Sequence, residues 1–157
     1  MAKLVKEKDV KIKIKSVVNG EENEWKGEGE YAKSEGIHMI AYNDYTGNRV
    51  TKNGMHIDVD KLFLHRVGGV TSDMLFDVLA DSIVSYRTFL VSTNFLLHTK
   101  CYEVDEDENG LRVHIEYVLH DASGQTGGEL EGVQDIEILY NITARKPMVF
   151  RPWDEWR

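Results

Sequence analysis

The sequence predicts an all-β protein, a single antiparallel barrel of about eight to ten strands. Apolar and polar residues alternate with a period of two in most segments, most clearly in 10–18 and 111–120. Strands of this kind have one dry face and one wet face, as antiparallel sheets require. Both prolines, Pro147 and Pro152, lie near the C-terminus, so neither interrupts the strand region. So many sequential strands must close or pair as two sheets, because open edges promote aggregation.

Short turns separate the first three predicted strands. The first, 10–18, ends at Asn19–Gly20, a residue pair that favours a two-residue hairpin. The second, 24–34, has glycines at alternate positions, as strands that bend at barrel corners do. Glu35–Gly36 then predicts a tight turn into the third strand, 37–43.

The fourth and fifth predicted strands cover 48–58 and 62–67, and Gly68–Gly69 ends the fifth. Asn53–Gly54 leaves two interpretations of the fourth strand open. The pair forms a hairpin turn, or it forms a bulge inside one long strand.

The next segment fits two secondary structures equally well. Ser72 could cap a helix whose apolar stripe comes next in the chain. That stripe consists of Met74, Leu75, Val78, Leu79 and Ser82. Alternatively, 70–77 and 82–89 are two strands of a hairpin.

The last three predicted strands are 94–102, 111–120 and 132–142. The first two pair across an acidic loop, 105–110, which ends in an Asn-Gly turn signal. With these segments the count of predicted strands is ten.

The C-terminal tail, 145–157, differs in composition from the strand region, 10–142. Trp153 and Trp156 stand there among arginines and prolines. Exposed tryptophan is costly, so we expect the tail to pack on the barrel or on a partner. A length of 157 residues predicts that strand region and tail form one domain, 1–157.

Charge and cysteine content limit the partners and the compartment. The formal net charge is −8, which repels nucleic acid and anionic lipid headgroups, so we expect neither a nucleic-acid nor a membrane partner. Cys101 is the sole cysteine, so an intrachain disulfide is excluded. The first residues lack a signal-peptide core and no stretch could span a bilayer as a helix, which favours the cytoplasm.

The acidic loop has the spacing of a calcium-binding loop. Asp105, Asp107, Asn109 and Gly110, followed by Glu116, match that motif. The motif needs a helix on each side, whereas both flanks alternate with a period of two. On a strand, Glu116 would lie about 20 Å from Gly110, too far to close on an ion. We therefore expect a solvated hairpin loop.

No metal site, cofactor or catalytic constellation is predicted. The histidines lack metal-ligand spacing on a helix, although adjacent strands could bring two together. They are His38, His56, His65, His98, His114 and His120. Cys101 has no basic activator nearby in sequence and alternates in phase with Phe95 and Leu97, which predicts an interior position. We therefore expect a protein that is not an enzyme.

Polar side chains on predicted dry faces are the candidates for ligand binding. Arg66 alternates with Leu62 and Leu64, so its guanidinium is expected inside the barrel. A buried charge needs a protein partner or an anionic ligand. The other predicted lumen residues are Tyr31, Tyr86, Tyr117, Tyr140, Trp25, Met39 and Leu64. The alternative is a filled lumen in which Arg66 bonds to tyrosine oxygens.

Four segments occur in a characteristic order: VKIKIKSV at 10–17, GEGEY at 27–31, LHRVG at 64–68 and YRTF at 86–89. In this order they resemble the YwiB-like bacterial proteins, a family of uncharacterised function with a calycin-like β-barrel. The resemblance covers about 10–142 and implies strands, not a helix, in the ambiguous middle segment. It implies no activity, substrate or catalytic residue.

Two functions remain open from the sequence. Calycin-like barrels bind small apolar or amphipathic molecules, so the first is binding of such a molecule, its acidic headgroup on Arg66. The second is a protein-interaction or structural module with a filled barrel, which forms a homodimer through its outer surface or its tail.

Overall fold

The computed structural model describes residues 8–121 and 128–140 of the chain. These residues form ten strands joined by turns and loops. The strands are β1 (Lys8–Val18), β2 (Glu21–Ser34), β3 (Ile37–Asp44), β4 (Thr51–Ile57), β5 (Lys61–Gly68), β6 (Val70–Asp77), β7 (Ser82–Thr88), β8 (Ser92–Asp107), β9 (Gly110–Asp121) and β10 (Glu129–Tyr140). Within these ranges no helix is long and apolar enough to cross a membrane. The tail, 145–157, lies outside the described residues, so its predicted packing stays a prediction.

The ten strands close into an antiparallel barrel in which neighbours in sequence are neighbours in the sheet. The barrel closes where β1 pairs with β10, from Val10 opposite Tyr140 to Val18 opposite Gly132. The ambiguous middle segment forms the strands β6 and β7 rather than a helix. The predicted all-β fold, a single antiparallel calycin-like barrel, is therefore confirmed.

Two of the predicted turns have the backbone that twisted hairpins require. Asn19 and Gly20 have φ of 50° and 82°, and Glu35 and Gly36 have φ of 52° and 82°. Positive φ at both central residues matches the right-handed twist of the flanking strands. These turns fix the register of β2 against β1 and β3.

Asn53–Gly54 forms neither a hairpin nor a bulge. It lies inside β4, where Asn53 is opposite Tyr42 and Gly54 is opposite Ala41 in an unbroken register. The Asn53 side chain is buried and donates from Nδ2 to the Thr51 carbonyl at 3.0 Å. Its amide is thus satisfied within the strand, so the turn signal is overridden by pairing on both sides.

The middle of the barrel is filled with apolar side chains. Almost every strand contributes one that is at most 1% exposed, and Ile12 of β1 is directly opposite Ile138 of β10. Examples are Ile12, Ile40, Met55, Leu62, Phe76, Leu97, Ile115 and Ile138. Each contributes roughly 1.5–3 kcal/mol by burial relative to exposure.

A β-bulge in β8 changes which of its side chains face the barrel interior. Thr99 is opposite Tyr117 of β9, but the next residue in register, opposite Glu116, is Cys101, so Lys100 is the extra residue. Cys101 is only partly buried, and its Sγ lies 3.5 Å from Oε1 of Glu103. The prediction that Cys101 fills the interior is therefore wrong, because the alternation does not continue through the bulge.

Lys13 departs from the pattern on the outer face. It alternates with the inward Ile12 and is opposite Glu137 and Lys26, yet it is only 1% exposed. Its Nζ lies 3.9 Å from Oε2 of Glu24. Within residues 8–121 and 128–140 this ammonium thus has a carboxylate at ion-pair distance but no hydrogen-bond partner.

Candidate functional site

The two ends of the barrel carry different polar groups. The loop 45–50 and the turn 89–91 lie at one end, which we call the Arg66 end. The turn 108–109 lies at the opposite end, which we call the Tyr31 end. The packed apolar middle separates the two.

Arg66 has the inward orientation that its phase predicts. It follows the buried Leu62 and Leu64 on the same face of β5. Its Nε donates to Oγ of Ser72 at 3.0 Å, and its Nη2 lies 4.0 Å from Sδ of Met74. Across residues 8–121 and 128–140, no carboxylate forms an ion pair with it. The guanidinium therefore has neutral partners.

Two buried tyrosines lie close enough to this guanidinium for its charge to affect their pKa values. Burial raises the pKa of Tyr42 to about 12, and the positive charge of Arg66 acts in the opposite direction. Burial likewise raises the pKa of Tyr117, against the effects of a hydrogen bond with Gln134 and of the same arginine. Both phenols are neutral at physiological pH. The Tyr42 ring packs on Trp25 with ring centroids 5.0 Å apart.

A cleft of about 780 Å³ opens beside Trp25. It exists because β2 pairs with β3 only from Gly29, opposite Tyr42, onward, so the first half of β2 has no β3 residues beside it. Asn53 also lines the cleft, and Asn53 is directly opposite Arg66 in the pairing of β4 with β5. Arg66 itself does not line the cleft, and Asn53 is the lining residue that stands next to it in the sheet.

The Tyr31 end is closed by its own hydrogen bonds. The Tyr31 hydroxyl lies 2.6 Å from Nδ1 of His38, and Nε2 of His38 lies 3.5 Å from Oε1 of Glu106. The Tyr140 hydroxyl donates to Oε2 of Glu106 at 3.0 Å. Burial lowers the pKa of His38 and raises the pKa of Tyr140. These polar side chains therefore bind one another rather than a ligand at this end of the barrel.

The structure divides the predicted lumen residues between these ends. Tyr117 and Trp25 lie at the Arg66 end, as does Tyr86, whose ring packs on Phe95 at 6.3 Å. Leu64 precedes Arg66 on the inner face. Tyr31 and Tyr140 lie at the Tyr31 end, where their rings are 5.1 Å apart.

Met39 does not line the lumen. It is opposite Ala32 and His56 on the outer face, while its neighbours His38 and Ile40 are buried inside. The predicted inward position of Met39 is therefore wrong. Apolar residues occur at both phases of this strand, so alternation alone does not identify the inner face.

Three residues of the Arg66 end were not predicted from the sequence. The sequence does indicate an inward position for Ser72, because Ser72 alternates in phase with Met74 and Phe76 on β6. The indication is weaker for Tyr42 and Asn53, because their strands have apolar or small residues at both phases.

The acidic loop folds as a hairpin turn, as expected. Oδ1 of Asp107 accepts hydrogen bonds from the backbone N–H groups of Asn109 at 2.8 Å and Gly110 at 3.1 Å. Glu116 lies far along β9, with its carboxylate 2.8 Å from Nε2 of His114. The calcium-loop spacing is thus not accompanied by the helices that the motif needs.

Comparisons with known proteins add the family. Residues 9–130 match the model of a domain of unknown function, DUF1934. The structure is similar to the crystal structure of the ywiB protein from Bacillus subtilis, with a TM-score of 0.73 and 20% sequence identity, over 85% of this chain and 92% of that one. A comparison with curated proteins found no match. Because the family model covers well over half of the chain, the protein belongs to the DUF1934 family, in agreement with the YwiB-like segments of its sequence.

Proposed function

We propose that the protein binds a small amphipathic molecule with an acidic headgroup at the Arg66 end of the barrel. The observation that carries the proposal is the inward Arg66 guanidinium, which has no carboxylate partner in the described part of the chain. Arg66 is partly buried, and each further step of taking a cation out of water is costly unless an anion and hydrogen bonds compensate. A carboxylate would supply both, because it matches the planar guanidinium with two parallel hydrogen bonds.

The hydrogen bonds of Arg66 leave donors for a ligand. The guanidinium has five N–H groups. Ser72 accepts from Nε, and the thioether of Met74 is a weak acceptor near Nη2. The neutral hydroxyls of Tyr42 and Tyr117 can then complete the coordination of a bound anion.

Packing limits the size of the ligand. The barrel is filled below Leu64 and Met74, so an apolar tail cannot pass through the lumen. It would instead lie against Trp25 and Tyr42 in the cleft of about 780 Å³, a volume typical of small-molecule sites. The proposed ligand is therefore a carboxylate with one short apolar tail.

The proposal is a binding activity without a catalytic step or a cofactor. It retains the cytoplasm as the compartment, since a chain with only Cys101 gains nothing from an oxidising environment. It retains the exclusion of nucleic acid and anionic membranes, since the net charge of −8 repels both.

A second candidate function is a protein-interaction module that forms a homodimer through its outer surface. Phe89 is 81% exposed and Leu90 is 84% exposed in the turn after β7. Adjacent exposed apolar residues of this size are typical of contact surfaces. Light scattering of the double variant Phe89→Ser, Leu90→Ser tests this function. A wild-type dimer that becomes monomeric supports it, and a monomeric wild type removes it.

Binding is tested with decanoate as the probe and 1-decanol as its uncharged control. Because a ligand that binds only the native state raises its stability, we expect decanoate to raise the Tm in proportion to the logarithm of its concentration. The Arg66→Gln variant should lose this increase. Arg112→Gln is the matched control, because Arg112 lies outside the barrel in an ion pair with Asp107.

The outcomes of these measurements decide the binding proposal. A Tm increase that needs both the carboxylate and Arg66 supports the proposal. Equal increases with decanoate and decanol, or an unchanged increase in Arg66→Gln, would contradict it.

A further inference from the structure

We propose that Cys101, His114 and Glu116 form a binding site for a divalent transition metal of the Zn²⁺ class. The site lies on the outer face of β8 and β9, separate from the Arg66 end. A thiolate, an imidazole and a carboxylate together favour zinc and its neighbours over calcium or magnesium, which prefer oxygen ligands.

The three donor groups are close enough to bind one ion. Sγ of Cys101, a ring nitrogen of His114 and a carboxylate oxygen of Glu116 all lie within 4.8 Å of one another. The ligand atoms of a tetrahedral zinc site are roughly 3.3–3.8 Å apart, given bonds of about 2.0–2.3 Å. Small rotations of the side chains can bring the three atoms to this spacing, because Cys101 is only partly buried.

The β-bulge in β8 creates this group of ligands. In a regular ladder continuing from Thr99 opposite Tyr117, Lys100 would stand opposite Glu116. The bulge puts Cys101 there instead, so a thiol replaces an ammonium beside the carboxylate. Bulges that re-aim a side chain are common next to functional sites.

His114 is already oriented as a metal ligand. Its Nδ1 lies 2.6 Å from Oδ1 of Asp135 on β10, and its Nε2 lies 2.8 Å from Oε2 of Glu116. A carboxylate on one ring nitrogen fixes the tautomer and directs the other nitrogen at the ion, as in carboxylate–histidine–zinc arrangements. Asp135 is thus a positioning residue.

A nearby carboxylate favours a bound cation and can serve as its fourth ligand. Glu103, in register with His114, has its Oε1 3.5 Å from Sγ of Cys101. Its carboxylate or a water molecule can complete a four-coordinate site, since three protein ligands leave one position open.

Cobalt substitution tests the site directly. The full-length, reduced protein is titrated with Co²⁺, which reports thiolate ligation by a sulfur-to-cobalt charge-transfer band and tetrahedral geometry by intense visible bands. We expect one Co²⁺ per chain, displaced by one Zn²⁺. Cys101→Ser should abolish the charge-transfer band. Asp135→Asn should weaken affinity about 10–100-fold while the band itself remains.

Two further variants make the test specific. His114→Gln should weaken metal binding at least as strongly as Asp135→Asn. The matched control is His65→Gln, because His65 forms a similar outer-face pair with Asp73 and has no cysteine in that pair. Circular dichroism verifies that each variant is folded. The absence of a thiolate band, or binding unchanged in His114→Gln, would overturn the proposal, as would loss of binding in His65→Gln.

Discussion

His38 is a histidine held in its neutral form by its surroundings. It is 8% exposed between the Tyr31 hydroxyl and the Glu106 carboxylate. Burial lowers its pKa from 6.5 and outweighs Glu106, which acts in the opposite direction. Below about pH 6.5 the unfolded chain therefore binds more protons at this residue than the folded barrel does. The free energy of unfolding must fall as the pH decreases from 6.5 toward the lowered pKa.

The His38→Gln variant should flatten this pH dependence. Loss of the buried hydrogen bonds lowers its free energy of unfolding at neutral pH by about 1 kcal/mol. Between about pH 7 and pH 5, however, it should lose less stability than the wild type. Urea unfolding across this range measures both effects. His56→Gln, at an exposed position on β4, should retain the wild-type slope. A His38→Gln profile parallel to the wild type would refute this account of the Tyr31 end.

Substitution by alanine should have opposite effects on stability at Gly29 and at Gly54. A Cβ at Gly29 would lie 2.7 Å from the Ala41 carbonyl oxygen and 2.8 Å from Cδ1 of Ile12. Because the backbone oxygen cannot move cheaply, Gly29→Ala should destabilise the barrel by about 1–3 kcal/mol. A Cβ at Gly54 meets nothing within 4 Å, so Gly54→Ala should stabilise it by about 0.4–1 kcal/mol. Chemical denaturation measures the free energy of unfolding of both variants. A loss of stability in Gly54→Ala would contradict the open space described beside β4.

At the level of elements, the sequence pattern predicts the inner face of β8 correctly before the bulge and incorrectly after it. Before it, the alternation places Leu97 and Thr99 inside, as their burial confirms. After it, Tyr102 and Val104 pack against the core, and Cys101 does not. No turn residue marks the bulge in the sequence, because Lys100 and Cys101 are acceptable on a regular strand. Its position follows from pairing with β9, which is a tertiary property.

Two single-residue deletions in β8 test this register. Deleting Lys100 removes the extra residue and leaves every other side chain on its own face, so the cost should stay below about 2 kcal/mol. Deleting Glu103 instead moves Val104 outward and Asp105 inward. That change should cost roughly 3 kcal/mol or more, because a carboxylate replaces an apolar contact in the core. Urea unfolding compares the two, and equal losses would show that the register is assigned incorrectly.

For the whole molecule, period-two alternation predicted most strands and the inward Arg66, whereas the family resemblance was needed to predict the strands of the middle segment. Alternation repeats in each strand, so an error in one strand leaves the others correct. It failed where apolar residues occupy both phases, as at Met39 and Tyr42. It also carries no information on height along the barrel, and therefore grouped Tyr31 and Tyr140 with Arg66 although a packed core separates them. Height depends on strand stagger, which only the complete set of pairings defines.

The central claim is that the Arg66 end offers an inward-facing, partly buried cation to an acidic ligand. The measurement that tests it most directly is a crystal structure of the protein with decanoate. The account predicts the carboxylate on the Arg66 guanidinium, within hydrogen-bond distance of Tyr42 or Tyr117, with the tail along Trp25. An Arg66 side chain turned to solvent, or one paired with a carboxylate of the protein itself, would contradict it.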